Sequence, residues 1–151
     1  MIATMNRYSG PAASASEGWA VTRLTPPSRL HGANGLAIGP DGRLHVAQVP
    51  GSCISAIDVD TGVIEVISAM GGDIVGPDDL AFDEHGNMFA TEITENRVSM
   101  RTPGGKVTVI QGDMPVANPI TYHQGRLIAG ECRMGARIME LDRNGGAPRV
   151  I

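Results

Sequence analysis

Three oxygen-bearing side chains, Asn34, Asp78 and Asn118, each stand two residues before the hydrophobic residues Leu36, Leu80 and Ile120. If those three open equivalent strands arranged about one axis, the side chains before them converge on one mouth. Carboxylate, amide and water oxygens in such an arrangement suit a hard divalent cation such as calcium. A bound cation polarises a carbonyl and lowers the pKa of a bound water, which is one route to hydrolysis without a nucleophilic serine. Asp79 adjoins Asp78, and strand register decides which of the two acids faces inward. Glu92 and Glu131 form a second matched pair at the ends of returning strands, with Gln48 in the corresponding place earlier in the chain. They are candidate substrate contacts, with Asp79, or supports for the ligands. The same residues have a plainer reading. Asn and Asp before a strand bond their own backbone as turn formers, and a glutamate at a strand end is often a solvated loop carboxylate.

Other chemistry finds little purchase. His31, His45, His85 and His123 show no metal-ligand spacing, and there is no phosphate loop, nucleophile elbow or dinucleotide fingerprint. Cys53 and Cys132 make neither a zinc-type pair nor a disulfide framework, and read as ordinary thiols of a reducing compartment.

The elements that must position the candidate residues come from an internal repeat. Asn34-Gly35-Leu36-Ala37-Ile38, Asp78-Asp79-Leu80-Ala81-Phe82 and Asn118-Pro119-Ile120-Thr121-Tyr122 begin three similar units, with Leu36, Leu80 and Ile120 separated by 44 and 40 positions. Each unit runs a short apolar strand into a glycine turn, at Asp41-Gly42, His85-Gly86 or Gln124-Gly125. Glycine supplies the positive φ that a tight hairpin requires. A second strand returns over 44–49, 88–93 or 127–132. A third covers 54–59, 97–101 or 137–141. After another glycine turn, a fourth covers 63–67, 106–110 or 147–151. Four short antiparallel strands repeated at roughly 40–45 residues predict the blades of a β-propeller. An open sandwich of unrelated hairpins is the competing fold, but it does not require one order of turns three times over. The repeats span about 32–71, 76–114 and 116–151. No Trp-Asp pair marks the WD40 form, and kelch units are longer.

Composition agrees with an all-β protein. Of 151 residues, 42% are hydrophobic and 19% charged, while 20 glycines and 10 prolines favour turns over long helices. A net charge of -4 argues against a general nucleic-acid binder. No apolar run approaches a membrane span, and residues 1–16 lack the apolar centre of a secretion signal, so the expected location is cytoplasmic. Residues 1–16 read as a disordered lead-in to a partial propeller over 17–151. Within it, 19–24 alternates in polarity and reads as one strand, ended by Pro26-Pro27.

Three blades leave two sheet faces without a neighbour. Two explanations fit: a fragment of a longer protein, or a homodimer that completes a six-bladed ring.

The openings Asn34-Gly35-Leu36-Ala37 with Gly39-Pro40-Asp41-Gly42-Arg43-Leu44, and Gly76-Pro77-Asp78-Asp79-Leu80-Ala81-Phe82-Asp83, resemble those of the SMP-30/gluconolactonase/luciferin-regenerating-enzyme family over about residues 32–151. The resemblance implies half of a six-bladed propeller. It implies one divalent cation, usually calcium, with zinc or magnesium as other candidates, and a small lactone or ester as substrate. It makes Asn34 and Asp78 metal ligands, gives Asp78 a further role as general base, and places Asn118 where metal or substrate is contacted. The family's glutamate ligand has only a loose counterpart in Glu17-Gly18-Trp19, which lacks the proline and the hairpin behind it. A non-catalytic binding module like the NHL-repeat propellers remains the alternative.

Overall fold

A computed structural model describes residues 14–25 and 30–151. Twelve strands follow in order: β1 (Ala33–Ile38), β2 (Leu44–Gln48), β3 (Cys53–Ile57), β4 (Ile64–Ser68), β5 (Pro77–Phe82), β6 (Met88–Glu92), β7 (Arg97–Arg101), β8 (Val107–Gln111), β9 (Ala117–His123), β10 (Arg126–Glu131), β11 (Ile138–Leu141) and β12 (Arg149–Val150). They form three separate four-stranded meanders, β1–β4, β5–β8 and β9–β12, each antiparallel throughout. The fold is all-β, a set of three propeller blades. Among the described residues no helix is long and apolar enough to cross a membrane.

The hairpins close where the sequence places glycine: Gly42, Gly86 and Gly125 take φ of 76°, 79° and 80°, the left-handed region that L side chains avoid. Innermost strand β1 packs against β5, and β5 against β9, while the outer strands make no comparable contact. The sheets therefore lie close on the inside and part on the outside.

Each middle-blade strand serves two seams, because successive side chains point to opposite faces. Leu80 joins Ala47, Ile54, Ile74, Met88 and Ala90 in the core between the first two blades. Its neighbour Ala81 joins Phe89, Val98, Met114, Ile120 and Leu127 in the core between the second and third. Polar contacts differ between the seams. At the hairpin end of the second seam, Arg143 bonds Asp83 at 3.0 Å and lies over the Tyr122 ring at 5.4 Å. At the first seam, Pro40 and Pro103 close on Gly86 instead.

One expected element is absent. Residues 19–24 form no strand, and Trp19 is 80% exposed. Alternation alone gave no partner edge to pair with. The expected lead-in lies outside the described residues over 1–13.

Candidate functional site

The inner strands share an irregularity. β1 pairs Ala33 with Gln48 and then Leu36 with Val46. β5 pairs Pro77 with Glu92 and then Leu80 with Ala90. β9 pairs Ala117 with Glu131 and then Ile120 with Ala129. Each skips register over two residues: Asn34-Gly35, Asp78-Asp79 and Asn118-Pro119. Such bulges bend the strand and re-aim its side chains. The three candidate ligands thus sit at one structural position, repeated three times.

The structure brings two of them together. Asn34 Nδ2 donates to Asp78 Oδ1 across the first seam. Gly35 permits that approach, since a Cβ there would lie 2.4 Å from the Asp79 α-carbon. Asp78 is only 2% exposed, and its Oδ2 is buried with no hydrogen-bond partner. Burial pushes its carboxyl above the usual range. The bond from Asn34 opposes that shift, and the charge of Asp79 adds to it. Asn118 is partly exposed. Its carbonyl accepts from Thr91 Oγ1 at 2.7 Å, and its side chain makes no hydrogen bond among the described residues.

Asp79, read from the sequence as a substrate contact, is a seam residue. Its Oδ1 accepts from its neighbour Leu80 N–H at 2.9 Å and its Oδ2 from Ile120 N–H of the next blade at 3.0 Å. Thr91 Oγ1 accepts from the Asp79 N–H at 3.0 Å. Asp79 and Thr91 together stitch the second blade to the third.

Glu92 and Glu131 were also read as substrate contacts or solvated carboxylates, and the structure gives them a different place. Both side chains are fully buried within ion pairs. Glu92 accepts from Val75 N–H at 2.7 Å, from Arg97 at 2.7 Å and from Ser99 Oγ. Glu131 accepts from Arg133 Nε at 2.9 Å and from Arg137 through its backbone N–H at 3.0 Å and its guanidinium. The Arg137 bonds outweigh desolvation and hold Glu131 down at about 2. Gln48 fills the same position in the first blade. Its Oε1 accepts from His31 N–H at 2.7 Å and its Nε2 donates to Ser55 Oγ at 2.9 Å. In the first two blades the position is a clamp that ties an incoming loop to its blade, whereas Glu131 holds the connection between β10 and β11. Ser55 and Ser99, each seven residues after the clamp, were the sequence signal for it.

Among the described residues no three His, Cys, Asp or Glu side chains gather where an ion could sit. The candidate site therefore offers one carboxylate with an open oxygen and one neighbouring amide, while the Asn118 amide stands at the equivalent position of the third blade with no hydrogen bond to either. These are hard oxygen donors, and the orphaned Asp78 Oδ2 fits a cation, as one part of a shell of six to eight oxygens.

No family model matches the chain, and no curated protein matches it in sequence. Solved structures do match. Selenomethionine-substituted virginiamycin B lyase from Staphylococcus aureus has 19% identity and a TM-score of 0.70, over 90% of this chain and 46% of that one. A gluconolactonase from Xanthomonas campestris has 11% identity and a TM-score of 0.70, over 80% of this chain and 47% of that one. A chain of the nidogen/laminin complex has 18% identity and a TM-score of 0.71, over 80% of this chain and 48% of that one. At these identities the likeness establishes the β-propeller fold, and this chain spans less than half the length of each.

Proposed function

We propose that this propeller segment carries part of a divalent-cation site of the SMP-30/gluconolactonase kind, serving hydrolysis of a small lactone or ester, with Asp78 at its centre. The observation that carries the reading is the Asp78 carboxylate, buried and with one oxygen unpartnered. A buried acceptor left unpaired costs about 1–3 kcal/mol, and a bound cation would offset that cost. Asn34, Asp78 and Asn118 would be the ligands, and their hard oxygens suit calcium better than zinc. A bound divalent cation supplies Lewis-acid polarisation of the carbonyl and a more acidic water. Asn34 orients Asp78 through its amide N–H and leaves Oδ2 free for the cation.

Thermal unfolding with and without calcium, beside a lactone-hydrolysis assay, tests the proposal. Calcium should raise the melting temperature of the wild type and leave Asp78→Asn unmoved. Asp78→Asn should keep the wild-type far-ultraviolet circular dichroism in chelator, so that its lost calcium response reports the site and not unfolding. If calcium shifts neither protein, the cation site is refuted. The second reading, a propeller that only presents a binding surface, draws on the absence of a three-acid cluster among the described residues. It predicts stability indifferent to chelators and no hydrolysis.

A further inference from the structure

We propose that a hollow between the first two blades, at their hairpin end, binds a small monocarboxylate with an apolar body, its carboxylate paired with Arg101. The inference is independent of the cation site, which lies at the other end of the inner strands.

The repeats show what this seam has changed. Register makes His45 of the first blade equivalent to Phe89 of the second, and Arg101 of the second equivalent to Leu141 of the third. At the second seam Phe89 and Leu141 are buried in one apolar cluster. At the first seam the same two slots hold an imidazole and a guanidinium. His45 is 5% exposed, and its Nδ1 is buried with no hydrogen-bond partner. Arg101 is half-buried and makes no hydrogen bond or ion pair among the described residues. Two further exchanges keep the seam open. Asp83 and Arg143 close the second seam as an ion pair. Their counterparts at the first seam are Gly39 and Pro103, which cannot form one. A cavity of about 350 Å³ remains there, lined by His45 and Arg101 together. Small organic ligands occupy cavities of about 300–1,000 Å³.

The lining decides the kind of ligand. Ile67, Phe82, Met88, Pro40 and Pro103 make the walls largely apolar. Of the two cations in the lining, Arg43 is already engaged, by Asp41 at 2.8 Å and by Glu65. Asp41 also meets His45 Nε2 at 3.2 Å. Arg101 keeps one uncompensated charge. Its Nη2 lies beside the β7–β8 turn, 3.5 Å from where a Cβ on Gly105 would stand. A half-buried charge without a partner is costly, and an anion offsets that cost. The planar fork of a guanidinium matches a carboxylate or a phosphate. One free cation balances one negative charge, and the Asp41 carboxylate repels a second. A monoanion is therefore favoured over a phosphate dianion. An apolar cavity of about 150 Å³ already admits benzene, so this hollow has room for a ring and its carboxylate.

Benzoate is the probe. Titration calorimetry should show one benzoate bound per chain. Benzamide, its neutral analogue, and inorganic phosphate should each bind at least about tenfold more weakly. Among the eight methionine methyl signals in an NMR titration, that of Met88 should move most, while Met139 of the second seam stays still. Arg101→Leu installs the residue type that the third blade holds in that slot. It should keep its far-ultraviolet circular dichroism and lose benzoate affinity at least about tenfold. The proposal is overturned if benzoate does not bind at millimolar concentration, or if benzamide or phosphate binds as tightly. Equal affinity in Arg101→Leu, or a shift centred on a methionine other than Met88, overturns it as well. Should Arg101→Leu fail to fold, the benzoate and benzamide comparison on the wild type still decides.

Discussion

Glu92 can be tested against its counterpart in the first repeat. Gln48 and Glu92 each accept a backbone N–H from seventeen residues earlier and bond a serine seven residues later. Glu92 differs in carrying a charge, met by Arg97 whose side chain is 26% exposed. Glu92→Gln therefore keeps an acceptor for Val75 and a donor for Ser99, and loses only the charge toward Arg97. A hydrogen bond to a charged group is worth about 1.5–3 kcal/mol against about 0.5–1.5 for a neutral one, so this variant should cost ~1–1.5 kcal/mol. Glu92→Ala orphans the Val75 N–H, the Ser99 hydroxyl and the guanidinium together. Breaking a buried pair from one side costs about 3–5 kcal/mol. With a urea slope of about 1–3 kcal/mol/M, the midpoint should fall by roughly 2 M for the alanine variant and by well under 1 M for glutamine. Equilibrium urea unfolding followed by circular dichroism reads both. Equal effects of the two variants, or an alanine variant as stable as wild type, would refute the clamp. Loss of substrate affinity without loss of stability would return Glu92 to the binding role first read from the sequence.

Other outcomes follow from the same geometry. Asp41 is held at about 2 because hydrogen bonds from Arg43 and from His45 outweigh the upward push of burial, and Glu131 lies at about 2 as well. Both pKa values are depressed by folding. The stability they contribute is therefore complete above about pH 4.5 and drains away as pH falls toward 2, which acid titration of the melting temperature should show. Gly35→Ala should destabilise by at least ~1–3 kcal/mol, because the new methyl meets backbone of the second blade rather than a yielding side chain. Gly112→Ala, which meets nothing within 4 Å, is the control and should leave the melting temperature near wild type.

The blades were legible because turns and strands are local. A glycine at φ near 80° and an apolar run on either side are written into neighbouring residues, and three repetitions make the pattern plain. The matched positions of Gln48, Glu92 and Glu131 were legible for the same reason. Their work was not, since it depends on Arg97 and Arg137 across a hairpin and on backbone N–H groups in the incoming loop. Asp79 misled in a similar way: Ile120, the next-blade group that uses its carboxylate, lies 41 residues away. Residues 19–24 misled in the opposite sense, because a polar-apolar alternation describes a strand only where another edge receives it. The bulges had no sequence mark of their own. Asn-Gly, Asp-Asp and Asn-Pro share no side-chain chemistry beyond the first residue of each pair.

That dissimilarity has a consequence for how such a protein can change. At each kink the regular ladder is interrupted and resumes at Leu36, Leu80 or Ile120, so the ladder itself makes little demand on the leading residue of each pair, whereas Gly35 and Asp79 are fixed by the seams. Even proline is accepted at Pro119, inside a strand that would otherwise reject it. Selection can therefore exchange the leading polar groups one at a time, while the scaffold that holds them is inherited unaltered.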